Sequence, residues 1–92
     1  MPDHDYQVRV YTRPGCMPCQ RTKTLLDQAS VPYTEIDVAT DPAAAERVRA
    51  LGHSSAPVVT VELPDGLDHW SGYDRAKIDA LCYLAGKAGG PT

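Results

Sequence analysis

The stretch QVRVYTRPGCMPCQRTKTLLDQA, residues 7–29, changes its period halfway through. Gln7–Tyr11 alternates polar and apolar side chains and reads as a strand. The Pro-Gly pair at 14–15 then breaks the run as a turn. From Met17 to about Ala29 the pattern is helical, with Cys19, Thr22, Leu26 and Ala29 on one stripe and Leu25 beside it. At the junction stand Cys16 and Cys19, separated by Met17 and Pro18.

Outward from this unit the same signals recur. VPYTEIDV carries a second strand, Tyr33–Val38. Asp41 reads as an N-cap with Pro42 at the first helical position, and Ala44, Val48 and Leu51 form the inward stripe of a helix that Gly52 ends. SSAPVVTVEL is a third strand entered through Pro57. The PDG turn at 64–66 sends the chain back as a short antiparallel strand, Leu67–Trp70. A last helix runs from about Asp74 to Leu84, with Ile78, Leu81, Cys82 and Ala85 on one face. The order βαβαββα predicts an α/β fold, a four-stranded mixed sheet with three helices packed on both its faces. One domain is expected over 6–86, with flexible termini at 1–5 and 87–92.

Composition narrows the function. The 92 residues suffice for one domain, and the 42% apolar and 23% charged shares are ordinary globular values. A net charge of −3 argues against a nucleic-acid partner, which calls for a basic stripe. No apolar run approaches the roughly 20 residues of a membrane span. The acidic MPDHD start is unlike a signal peptide, so a cytoplasmic location is expected, where structural disulfides are rare.

The three cysteines are an odd number for a disulfide framework. Cys16 lies at or just before the first turn of its helix, where unpaired N–H groups and the dipole favour a thiolate. Residues 13–23 add Arg13, Arg21 and Lys23 and contain no acid, a local positive island that also lowers a thiol pKa. Cys19 continues the buried stripe, whereas Cys16 can face solvent, so Cys16 is expected to attack and Cys19 to resolve. Pro18 costs little in a first turn, which has no intrahelical N–H bond to lose there. Zinc or an iron–sulfur cluster is the rival reading, but zinc needs two further ligands at matching spacing, and His4, His53 and His69 are scattered.

Other residues carry two readings each. Pro57 is either a trans proline opening a strand or a cis proline that lays the backbone of Ala56 beside the dithiol for strand-like pairing with a substrate. Cys82 reads as a small buried hydrophobe and the histidines as surface residues. Trp70 and Tyr73 are core aromatics or a contact surface; Arg13 is a solvated charge or a carboxylate anchor.

VYTRPGCMPC, then APVV, then HWSGY resemble the NrdH-redoxins, glutaredoxin-like proteins with thioredoxin-like activity; the likeness covers about residues 7 to 85. It implies a thioredoxin fold and a cis Ala56–Pro57 bond. It further implies delivery of electrons from thioredoxin reductase to class Ib ribonucleotide reductase. The chain is then expected to be a monomer whose redox-active disulfide, Cys16–Cys19, needs no bound cofactor. The partner-binding surface is expected from Arg13, Met17, Pro18, Ala56, Pro57, Trp70, Ser71, Gly72 and Tyr73. Trp70 should fill the groove where glutaredoxins hold glutathione with a Gly-Gly segment, leaving an apolar rim of Met17, Pro18 and Tyr73. The alternative is a glutaredoxin-like reductase of mixed disulfides that uses a low-molecular-weight thiol. NrdH-redoxins usually carry Arg-Pro after the aromatic residue; here Asp74, Arg75 and Ala76 follow Tyr73.

Overall fold

The structure is a computed structural model that describes residues 6–89, with side chains described through residue 85. Its elements follow the expected order: β1 (Gln7–Thr12), α1 (Met17–Gln28), β2 (Thr34–Asp37), α2 (Pro42–Ala50), β3 (Val58–Leu63), β4 (Gly66–Ser71) and α3 (Arg75–Gly89). The strands form one sheet in the order β2-β1-β3-β4. β1 runs parallel to β2, which its 12-residue crossover helix permits, and antiparallel to β3. β4 pairs antiparallel with β3 through a hairpin that closes at Leu63 and Gly66.

Strand periodicity sorts the core onto two faces. Val8 and Val10 of β1 and Val59 and Val61 of β3 pack with Leu26 of α1 and with Ile78 and Leu81 of α3. Tyr11 and Val58 point the other way, onto Ala44 and the half-buried Val48 of α2. β1 and β3 are therefore covered on both sides, which is why VVTV reads as an unbroken buried run. Helix ends are set by local chemistry. Asp41 Oδ1 accepts the Ala44 N–H at 3.1 Å, and Asp74 Oδ1 accepts the Lys77 N–H at 3.1 Å. α1 closes with Val31 N–H on the Leu26 carbonyl and Ser30 N–H on that of Asp27, Ser30 taking a φ of 59°.

Several boundaries differ from expectation. α3 continues past Leu84 to Gly89, so residues 87–89, expected in a flexible tail, are helical. Residues 1–5 and 90–92 lie outside the described residues. β2 is two residues shorter than expected, and Ala29 caps α1 as an exposed residue rather than extending its buried stripe.

Candidate active site

The loop after β1 delivers the chain into α1 so that Cys16 is the helix N-cap. Gly15 makes the turn at φ +71°, a conformation in which side-chain-bearing residues are strained. Cys16 has extended backbone, and its sulfur accepts the Cys19 N–H at 3.1 Å, satisfying one donor that a helix start leaves unpaired. Pro18 occupies the first turn, where it forfeits no bond. Cys16 and Cys19 form a disulfide with a Cα–Cα separation of 5.2 Å. The two sulfurs differ in access: Cys16 is half-buried, whereas Cys19 is 1% exposed on the inward face of α1.

The positive island is smaller than the sequence suggests. Lys23 is spent on Glu35, with Nζ 2.8 Å from Oε2. The Arg21 guanidinium lies 5.3 Å from the centroid of the Tyr73 ring. Arg13 is exposed on the turn and has no ion-pair partner among the described residues. Helix-start amides and Arg13 thus remain closest to the role foreseen for the island.

The Ala56–Pro57 bond is cis, as the resemblance implies. Pro57 is fully buried, and its carbonyl accepts the Gly72 N–H at 2.8 Å, joining the start of β3 to the turn that follows β4. Gly72 takes φ +81° there, and Ser71 is exposed opposite Val58. Ala56 and Arg13 line one cavity of about 240 Å³, together with Tyr11, Arg49 and His53. On the outer side of α1, Met17, Arg21, Leu25 and Tyr73 line a shallow groove, and Met17 is 70% exposed.

Trp70 departs from the expected partner surface. It is 7% exposed and belongs to the core between the sheet and α3, with the Lys77 ammonium 5.6 Å from its ring centroid. Strand alternation is the reason: Trp70 pairs with buried Val59 and shares its face, which sends His69 and Ser71 to the opposite one. The expected rim of Met17, Pro18 and Tyr73 does not depend on Trp70: Met17 and Pro18 are exposed and Tyr73 is half-buried.

Two features were not anticipated. His53 and His69 are half-buried rather than on the open surface, with Nε2 and Nδ1 2.8 Å apart; burial and the second imidazole hold His53 below the ordinary range. His4 lies outside the described residues. Glu35 is the other: its Oε2 also accepts from the Thr12 hydroxyl at 3.3 Å, on the side of the sheet that carries Cys19. Alternation in YTEID held the signal, because Ile36 packs toward α2 and Glu35 must then face α1. Among the described residues no three His, Cys, Asp or Glu side chains converge as metal ligands, and no helix is long and apolar enough to cross a membrane.

A βαβ unit with a helix starting on one cysteine and its bonded partner one turn in, together with a cis-proline at the entry to β3, is the architecture of a thiol–disulfide oxidoreductase of thioredoxin fold. The glutaredoxin family matches residues 8–62. The glutaredoxin-like protein NrdH of Escherichia coli K12 is 33% identical over 75 residues, covering 82% of this chain and 88% of that one. The Gene 56 protein of Mycobacterium phage D29 is 35% identical over 85 residues, covering 89% and 91%. The solved structure of the E. coli NrdH-redoxin superposes with a TM-score of 0.70 at 32% identity, over 82% of this chain and 93% of that one. The chain belongs to the glutaredoxin family, as an NrdH-like member.

Proposed function

We propose that this chain is a cytoplasmic, monomeric electron carrier that takes electrons from NADPH through thioredoxin reductase and passes them to class Ib ribonucleotide reductase. In the reduced protein the Cys16 thiolate attacks a disulfide of the acceptor and forms a mixed disulfide. Cys19 then attacks the Cys16 sulfur, the acceptor leaves as a dithiol, and the Cys16–Cys19 disulfide remains. Two electrons and two protons move, and no bound cofactor is needed. The observation that carries the assignment of roles is the difference in access, a sulfur at the helix start against one that is 1% exposed.

The choice of partners draws support from the relatives. One is a glutaredoxin-like protein called NrdH, and the solved homologue is described as having a thioredoxin-like activity profile. The exposed Met17 and the Tyr73 groove suit a protein–protein contact, where Met and aromatic side chains are favoured. The backbone of Ala56 offers an extended partner segment a strand-like contact.

One observation favours a second reading. The cavity that Arg13 and Ala56 share has the size, and in Arg13 a guanidinium outside any ion pair among the described residues, for the carboxylate of a small thiol, which would make the chain a reductase of mixed disulfides. NADPH oxidation separates the two. At matched protein concentration, thioredoxin reductase should support faster turnover than glutathione with its reductase. The reverse ranking replaces the thioredoxin-like reading with the glutaredoxin one.

A further inference from the structure

The resolving step has a proton to dispose of. Cys19 must attack as a thiolate, yet it is 1% exposed, so bulk solvent has little access to its S–H. One face of its surroundings is polar. Cys19 lines a cavity of about 250 Å³ with Thr12, Arg13, Lys23, Glu35 and Asp37, room enough for bridging water. Lys23 sits one helical turn beyond Cys19 and holds Glu35 Oε2 at 2.8 Å, while the buried Thr12 donates to the same oxygen at 3.3 Å. Arg13 and Lys23 are donors only. Asp37 also lines this cavity, its Oδ1 accepting the Ala39 N–H at 2.8 Å, but neither the Lys23 nor the Thr12 side chain is bonded to it.

We propose that Glu35, positioned by Lys23 and Thr12, is the proton acceptor for Cys19 in the resolving step. The assignment rests on the reading of Cys16 as attacking and Cys19 as resolving thiol. Cys19 Sγ–H gives its proton through the cavity to the Glu35 carboxylate while the sulfur's electron pair forms the bond to Cys16 Sγ. The bond between Cys16 and the partner sulfur breaks, and that sulfur leaves with the electron pair as a thiolate. Glu35 returns the proton to solvent or to the departing thiolate. The exchange is neutral in electrons and needs no further reagent. With its outer edge open to solvent, Glu35 connects a shielded sulfur to bulk water.

Stopped-flow reaction of the reduced protein with the aromatic disulfide DTNB, in a Cys82→Ala background, reads the two steps separately. Attack by Cys16 releases a first thionitrobenzoate, and resolution by Cys19 releases a second. Glu35→Gln should leave the first phase unchanged and slow the second at least about tenfold at pH 7, within the range of general-base contributions. Its second phase should then climb with pH toward the ordinary thiol range of about 8.5, where the wild type is flatter. Glu35→Asp should recover part of the rate. The sign of the effect is diagnostic. An unneutralised Lys23 would favour the Cys19 thiolate, so a purely electrostatic role makes Glu35→Gln faster. A second phase that is unchanged or faster, or a slowing shared by both phases, overturns the proposal. Fast release that survives Cys16→Ser overturns instead the assignment of the attacking thiol.

Discussion

The backbone N–H of Cys19 donates to the sulfur of Cys16 across 3.1 Å, so the buried cysteine's own amide steadies the more accessible one. A donor aimed at sulfur stabilises the thiolate that forms on reduction, and the helix dipole acts in the same sense. Cys16→Ser should therefore abolish disulfide reduction, while Cys19→Ser should still attack and accumulate as a mixed disulfide through Cys16. Burial, then the charge of Asp79, pushes the Cys82 thiol up, partly offset by Arg75. In the reduced protein at pH 7, iodoacetamide should alkylate Cys16 well before Cys82, read by peptide mass. Faster labelling of Cys82 would reverse the ranking.

Thr60 tests the cost of a stranded hydroxyl. It is 0% exposed in the middle of β3, and its Oγ1 has no hydrogen-bond partner among the described residues. Thr60→Val keeps the shape and the branching suited to a strand while removing a desolvated polar atom. Urea unfolding should find the variant more stable by about 1 kcal/mol. A loss of similar size would mean that the hydroxyl has a partner in solution.

Tyr33 gives the fold a dependence on alkaline pH. Burial, its hydrogen bond to Asp27 and the charges of Asp27 and Glu35 push the phenol up to about 12. A group raised in the folded state stabilises it fully below its unfolded value of about 10 and loses that contribution as pH climbs through the folded one. Tyr33→Phe removes the 3.0 Å bond to Asp27 and should cost about 1 kcal/mol at pH 7. Its stability should fall less steeply than that of the wild type between pH 10 and 12. Parallel denaturation curves across that window would refute the linkage.

Short-range chemistry was legible in the residues. Val8, Val10, Cys19 and Leu26 repeat at strand and helix spacing, and Asp41 with Pro42 opens α2 by satisfying its first amides locally. The N-terminal position of Cys16 on its helix followed from Pro14, Gly15 and the start of the apolar stripe, all within one turn. The family resemblance, not the pattern, supplied the cis Ala56–Pro57 bond.

Properties fixed between distant segments were decided by the tertiary structure. Trp70 became core because its pairing with Val59 turns it toward α3, and that pairing spans a hairpin register that periodicity alone leaves open. Lys23 lost its place in a positive island because parallel pairing of β1 and β2 sets Glu35 beside α1. His53 and His69 meet only once α2 and β4 are folded onto one sheet. Charge, access and partnership depend on what lies a few ångströms away in space, and the sequence states directly only what lies a few residues away along the chain.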